Sequence, residues 1–596
     1  MKMPRFLWLG LVLSAPALAA EPQAARYAAD ITYLASDELK GRGNGTPELE
    51  KAADYIADQF KRAGLRPAGE DGTFFQKFEI TVGADFGKNN VLSIAGTMMK
   101  RDEDFVPIAF SDTADFEGPL IFAGYGITAP EYKYDDYGAI DATNKIVVVF
   151  GHEPQEIDAN SVFAGTEFTP YASYVNKAIN ARMHGAKGIV FITDPSHDYE
   201  DVGPATRRED TGDVGIPAVH AKRAAILAAF QNGGKNLADL KLAIDKDLTP
   251  QSFELANVRA RIATEIVRTR KTVRNVMASL PGADPEMAKQ WIVLGGHYDH
   301  LGLGGASSLA PSLQGQPHHG ADDNASGTAG VLELGRLAAQ NKADWKRSVL
   351  FIAFAGEEVG LLGSSYFANH PTVPLSAIDL MVNMDMIGRL TNERLYIGGV
   401  GTASSFKSAI DESAKGLGLA ITTTESGYGP SDQTAFNAKK IPVLAFYTGA
   451  HTDYHKPSDT ADKINTAGAL RILSLVYKTA GRIDGESQKL AYVDVEEALP
   501  ALRGSGGGYG PYFGSVPDFR DDVKGVPFSD VVAGSPAGKA GLKGGDIMIE
   551  FDHKPVTSLA DYAFVLRQRK PGDVVNVVVK RGSAVVRVDV TLEARK

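Results

Sequence analysis

The chain has 596 residues, 44% of them hydrophobic and 23% charged, an ordinary globular composition on a chain too long for one hydrophobic core, so several domains are expected. The net charge of −11 argues against a nucleic-acid partner, which would want a basic face. There are no cysteines, which excludes disulfides, thiol nucleophiles, cysteine-ligated zinc and a lipidated N-terminal cysteine, so any metal must use His, Asp and Glu.

Residues 1–20 read as a targeting segment: Lys2 and Arg5 form a short basic start, Phe6 to Leu13 is apolar, and Ala17-Leu18-Ala19 offers a cleavage pattern. That apolar run is too short to span a bilayer and no other stretch approaches 18 apolar residues, so an exported protein, periplasmic or secreted, without a stable membrane span is expected. Ala24 to Leu65 reads helical, with Thr46 as N-cap and Pro47 in the first turn of a helix whose Ala53, Ile56, Ala57 and Phe60 share a face. Phe74 to Leu92 reads as strands. From 110 to 258 the texture shifts to short strands and turns, including Pro119–Phe122, Lys145–Phe150 and Gly188–Ile192, with a helix over Tyr174–His184. This region carries no acid–histidine cluster and reads as an insert that shapes access to a site elsewhere.

Residues 259–490 alternate strand and helix. Strands at Trp291–Leu294, Ser348–Phe354, Asp379–Asn383 and Pro442–Phe446 are apolar on both faces, and helical runs such as Ser326–Gln340 and Leu361–Ala368 separate them. The pattern predicts an α/β domain with a mostly parallel sheet and helices on both faces. Gly504 to Gly510 reads as part of a flexible linker over 491–512. A small α+β domain, 513–596, follows, with strands near Val526–Val532, Ile547–Phe551, Val574–Lys580 and Ala584–Leu592 and one helix near Leu559–Arg569.

Parallel sheets place ligands beyond the carboxyl ends of their strands. His297, the pair Glu357-Glu358 and Asp385 each follow one of the predicted strands, His455 follows another after a short loop, and Asp323 precedes a helix start. Two histidines with three carboxylates suit two zinc ions, or manganese or cobalt, sharing one bridging carboxylate. Of Glu357 and Glu358, one is expected to bind metal and the other to move the proton of the attacking water. Asp299 is placed to orient His297 through its far ring nitrogen, and Tyr454 to donate a hydrogen bond to the developing oxyanion. His300, His318, His319 and His451 lie close by and are set aside as bystanders.

The motifs Gly-Gly-His297-Tyr-Asp299-His-Leu-Gly, Gly-Ala-Asp-Asp323-Asn-Ala-Ser-Gly, Gly-Glu357-Glu358-Val-Gly-Leu-Leu-Gly-Ser, Asn-Met-Asp385-Met-Ile-Gly and His455-Lys-Pro-Ser-Asp459-Thr460 resemble the co-catalytic zinc aminopeptidases of peptidase family M28. Tyr33 to Gly43 looks like the opening of that family. The resemblance implies one zinc on His297, Asp323 and Asp385, a second on Asp323, Glu358 and His455, and Glu357 as general base. Its His-x-x-x-Asp-Thr spacing ranks His455 above His451. The insert resembles a PA domain through Phe122–Ile127, Lys145–Val149 and Ala181–Val190. Residues 513–596 resemble a PDZ domain through Gly534–Ile547, with Tyr512-Phe513-Gly514 where Gly-Leu-Gly-Phe is usual. Ser431-Asp432-Gln433 stands where many relatives carry Ser-Asp-His.

The expected order is a signal peptide (1–20), the first part of the peptidase domain (21–109), the PA-like insert (110–258), the catalytic domain (259–490), a linker (491–512) and the PDZ-like domain (513–596). The expected activity is removal of N-terminal residues from peptides, with a peptide or protein C-terminus as a further partner at the PDZ domain. The alternatives are a carboxypeptidase or dipeptidase, which would want a cation such as Arg389 for the substrate carboxylate, a glutaminyl cyclase, and a non-catalytic PA/PDZ binding protein.

Overall fold

A computed structural model describes residues 21–163, 165, 168–196, 213–305, 307–495, 510–518 and 523–594. The expected signal peptide, and residues 496–509 of the expected linker, lie outside these residues. Among the described residues the largest sheet, which contains the strands predicted over 259–490, has nine strands. Its centre is four parallel strands in the order Ser348–Phe354, Trp291–His297, Ile378–Met384 and Val443–Tyr447. Their registers pair His297 with Phe354 and Met384 with Phe446, so the four strands stop near one level. Both faces are covered, as the apolar runs require. Ile292 and Leu294 join a cluster with Tyr27, Ile31, Leu332 and Ile472 from helices on one side. Val293, between them, joins Phe367 and Phe436 on the other.

The sheet is mixed: beyond the parallel centre, Arg394–Gly398 and Ala420–Thr423 form a second parallel pair at one edge. Arg66–Pro67 and Ile266–Leu280 add antiparallel strands at one side, and Arg394–Gly398 pairs antiparallel with Val443–Tyr447 at the other. The helix Pro47–Arg62 begins where expected: the Thr46 hydroxyl accepts from Leu49 N–H, with Pro47 in the first turn.

The insert is held on a two-stranded stem. Phe75–Phe86 pairs antiparallel with the first part of Ile266–Leu280, from Phe75 opposite Val276 to Phe86 opposite Ile266. Beyond the stem lies an eight-stranded sheet whose members include Val91–Ile94, Phe105–Pro107, Ala114–Phe122 and Phe253–Thr264. The insert is therefore wider than the 110–258 expected from composition. Val91–Ile94 pairs with residues 260–263, so both crossings sit inside one ladder and the sheet runs from before residue 110 to after residue 258.

The C-terminal domain does not hang free. Its helix Leu559–Arg567 packs on the insert helix Tyr174–Met183. Arg182 of the insert pairs with Asp561, whose side chain is fully buried. One apolar cluster runs from Ala178, Ala181 and Phe191 of the insert to Phe528, Phe564 and Val565. From the domain of the nine-stranded sheet, Tyr428 and Lys440 both donate to Asp530. Breaking a buried ion pair from one side strands the other charge. Arg182→Ala should cost about 3 kcal/mol and lower the thermal midpoint, and adding Asp561→Asn should restore part of the loss. An unchanged midpoint in Arg182→Ala would show that the C-terminal domain's stability does not draw on the insert.

Candidate active site

His297 is the last residue of its strand, and the two glycines before it let other chain segments close on the backbone. A Cβ at Gly296 would lie 2.7 Å from the Met384 carbonyl oxygen, and one at Gly327 would lie 2.1 Å from the same atom. The turn Ala321–Ser326 thus sits against the end of the strand that carries Asp385. Polar contacts lock the two together. Asn324 donates to the Met384 carbonyl, and the backbone N–H groups of Met386, Ile387 and Gly388 donate to Asn324, Ser326 and Asp322. Thr328 donates to the His297 carbonyl at 2.6 Å. Three of the candidate ligands therefore stand on one fastened frame.

The five candidate ligands and Glu357 meet in one place. His297 Nε2 lies 3.3 Å from Asp323 Oδ1, 3.5 Å from Asp385 Oδ1 and 3.8 Å from Glu357 Oε2. His455 Nε2 lies 3.3 Å from Asp323 Oδ2 and 3.2 Å from Glu358 Oε2. The two oxygens of Asp323 face the two histidines, one each. His297 Nε2, His455 Nε2 and Asp385 Oδ1 are buried without a hydrogen-bond partner among the described residues. Imidazole nitrogens and carboxylate oxygens left unpaired and convergent fit divalent metal of the zinc type.

Asp299 is fully buried, and His297 Nδ1 bonds to its backbone carbonyl at 3.2 Å, with the carboxylate Oδ1 behind at 3.7 Å. It also accepts from the backbone N–H groups of Glu357 and Glu358 and from the Asn44 side chain. It therefore fixes both a histidine and the glutamate pair. Tyr454 stacks on His455 with ring centroids 3.8 Å apart. Ser431 donates to Asp385 Oδ2 at 2.7 Å, and Asn383 donates to Ser431 and to Gln433. The segment that departs from Ser-Asp-His thus aims a candidate ligand.

His300 is no bystander: its Nδ1 lies 2.6 Å from Glu358 Oε1 and the residue is buried. His451 Nε2 lies 3.2 Å from Asp322, while His318 and His319 bind Ser308 and Asp37 and stay out of the cluster. Sequence reasoning missed two further residues. Asp459 accepts from the backbone N–H groups of Asp322 and Asp323 at 2.8 and 3.1 Å. Its signal was in the His-x-x-x-Asp-Thr spacing, used only to choose a histidine. Arg42 is fully buried, with a left-handed backbone, and its guanidinium donates to the carbonyls of Leu34, Tyr298, His319 and Gly320. It clamps the chain just after His297 to the chain just before Asp322.

The charges are strongly interdependent. Burial alone would lower His297, yet Glu357, Asp385, Asp299 and Asp323 hold it well above its ordinary value. Burial likewise opposes the charged form of His455, but Asp323 and Glu358 push it up to about 10. Burial would raise Asp323, but His297 and His455 hold it well below the usual carboxylate range. Burial holds Glu357 well above that range, against the pull of His297 and with help from Glu358, Asp385 and Asp432. Burial pulls Arg42 down to about 10 although Asp299, Asp323, Asp459 and Glu358 favour its charge.

Residues 275–480 match peptidase family M28, residues 116–229 the PA domain and residues 514–592 the PDZ domain. Aminopeptidase YwaD of Bacillus subtilis (strain 168) is 26% identical over 408 residues, covering 63% of this chain and 75% of that protein. Leupeptin-inactivating enzyme 1 of Streptomyces exfoliatus is 29% identical over 191 residues, 32% of this chain and 38% of that one. The probable leucine aminopeptidase 2 of Aspergillus oryzae is 26% identical over 265 residues, 40% of this chain and 49% of that one. The chain therefore spans less than half of the Streptomyces and Aspergillus relatives. Among solved structures, the aminopeptidase from Aneurinibacillus sp. strain AM-1 aligns over 80% of this chain and 97% of its own, at 22% identity and a TM-score of 0.46.

Asp299→Asn keeps the shape of the side chain and removes its charge from behind His297 and the glutamate pair. It should weaken binding of divalent metal roughly 10–100-fold, as read by competition with a chromophoric chelator. Unchanged affinity would remove Asp299 from the role of orienting the ligands.

Proposed function

The chain belongs to peptidase family M28, with a PA domain and a PDZ domain joined to its catalytic domain, and from that premise we propose that it is an exported aminopeptidase that uses two zinc ions to remove N-terminal residues from peptides. The observation that carries this reading is the bridging disposition of Asp323, each of whose oxygens lies 3.3 Å from a different histidine. His297, Asp323 and Asp385 would hold one zinc, and Asp323, Glu358 and His455 the other. Zinc, when bound, supplies the Lewis acidity that makes water a nucleophile near neutral pH. Relatives named aminopeptidase and zinc metalloprotease support the activity and the metal.

The chain's own residues do the rest. Glu357, adjacent to the ligand Glu358, takes the proton of the attacking water and returns it to the leaving amine. Tyr454 is held by its stack on His455, and burial raises its hydroxyl well above the ordinary value. It therefore stays protonated and donates to the developing oxyanion. Asp322, Asp432 and Asp459 are buried around the ligands and favour a substrate that arrives with a free ammonium group.

The carboxypeptidase reading loses its cation. Arg389 is ion-paired with Asp453 at 2.8 Å and approaches Asp459 at 3.5 Å. Export rests on the basic, apolar and small-residue order of residues 1–20. Among the described residues, no helix is long and apolar enough to cross a membrane. Peptides are the substrates in this reading, and the PDZ domain is a second peptide-binding module.

Leucyl-arylamide hydrolysis should disappear on chelation and return with zinc. Glu357→Gln should retain metal and lose roughly 10²–10⁴-fold in kcat. N-acetylated substrates should not be cleaved. Cleavage of the acetylated compounds would overturn the aminopeptidase assignment, and activity that survives chelation would overturn the metal mechanism.

A further inference from the structure

Asp299 backs His297, Ser431 aims Asp385 and Asp459 holds the backbone of Asp323. His455 has its own support, and it comes from a loop. His455 stands past the end of the strand Val443–Tyr447, on a left-handed backbone. Its Nδ1–H donates to the Ser307 carbonyl at 2.8 Å, and its own carbonyl accepts from the Leu309 N–H at 3.0 Å. A carbonyl oxygen only accepts, so in the neutral ring the proton lies on Nδ1. The Nε2 lone pair is then left facing Asp323 and Glu358.

Residues 307–309 belong to an excursion between Gly302 and His318 that buries little of itself. Leu303, Leu309 and Leu313 are 45%, 54% and 38% exposed. The backbone bonds from Ser308 to Gly305, Leu313 to Ala310 and Gly315 to Leu303 close the excursion on itself. His318, which is fully buried, ties it to the body of the domain. Its backbone N–H donates to the Gly302 carbonyl at 2.8 Å, and its Nδ1–H to the Gln316 carbonyl at 3.1 Å. Its Nε2 therefore accepts from the Ser308 hydroxyl, at 2.7 Å. Ser308 Oγ in turn accepts from the Ala310 N–H at 3.1 Å. A Cβ at Gly304 would lie 2.7 Å from the His318 ring, so the loop backbone rests directly on it. The next residue, His319, is bound by Arg42 and Asp37, so a fixed stretch of chain carries the ring. Burial, with His300, His455 and His319 close by, lowers His318 below its ordinary value, which keeps Nε2 free to accept.

We propose that His318 is a positioning residue for the second zinc: through Ser308 it holds residues 307–309, and the Ser307 carbonyl then fixes the tautomer and direction of the His455 ring. The proposal rests on the two-zinc reading. A histidine ligates through a ring nitrogen that carries no proton, and a partner on the far nitrogen both selects that tautomer and aims the ring. Released from Ser307, His455 loses both, while His297 and Asp385 keep their own supports. The loss should therefore fall on one metal site and spare the other.

The test is titration of the metal-free protein with zinc in competition with a chromophoric chelator. The wild type should take up two ions. His318→Ala and Ser308→Ala should each weaken one of the two binding steps roughly 10–100-fold and leave the other unchanged. The weakened step should be the one that His455→Ala abolishes. His318→Gln, which again offers an acceptor to the Ser308 hydroxyl, should recover part of the loss. Should His318→Ala fail to fold, Ser308→Ala, a change at a part-buried loop residue, decides the matter. Both steps weakened alike, neither step weakened, or no recovery in His318→Gln would overturn the positioning role while leaving the two-zinc reading standing. A wild type that binds a single zinc at saturation would count against the two-zinc reading itself, and this inference would fall with it.

Discussion

The structure depends on a concentration of buried negative charge. Asp323, Glu357, Glu358 and Asp385 stand around His297 and His455, and Asp299, Asp322, Asp432 and Asp459 are buried behind them. At an effective dielectric near 20, two unit charges 4 Å apart interact by about 4 kcal/mol. Several such repulsions exceed what a marginally stable domain tolerates, so the acids are neutralised either by a proton, as burial favours at Glu357, or by a cation nearby. Arg42 supplies one from the protein, at the cost of burying a guanidinium, and offsets that cost by donating to four backbone carbonyls. The same carboxylates favour the charged forms of His297 and His455, so positive charge is stabilised where the ligand nitrogens lie.

The fold gathers these groups by bringing separate strands to one level. The registers of the central strands align their carboxyl ends, and the turn Ala321–Ser326 ties two of those ends together through Asn324, Ser326 and Asp322. Asp299 and Asp459 extend the frame by holding the backbone of the glutamate pair and of Asp323. The accessory domains are built into the same frame. The insert grows from a stem that continues the peptidase sheet. The C-terminal domain reaches the peptidase through Tyr428 and Lys440, and Tyr428 lies three residues before Ser431, which aims Asp385.

Much of this was legible in the residues. Both-face apolar runs fixed the central strands, and the rule that parallel sheets bind beyond their strand ends gathered His297, Asp323, Glu357, Glu358 and Asp385 at one edge, while the choice of His455 over His451 came from the motif resemblance. What escaped depends on long-range placement. Arg42 acts through a left-handed backbone conformation and carbonyls more than 250 residues away. His300 follows His297 by three residues, and no spacing rule distinguishes a histidine that holds Glu358 from one that faces solvent. The limits of the insert were misplaced because Val91–Ile94 and Phe105–Pro107 are short strands that precede the change in composition and pair with residues far along the chain. Docking of the C-terminal domain rests on Arg182 and Asp561, two ordinary charges 379 positions apart.

The most direct test of a carboxylate shared between two metals is anomalous diffraction from zinc-loaded crystals, with data on both sides of the zinc edge. The account predicts two peaks about 3.5–4 Å apart, one beside His297 and Asp385 and the other beside Glu358 and His455, with Asp323 between them. A single peak at full zinc loading, or two peaks that leave Asp323 bound to only one, would contradict it.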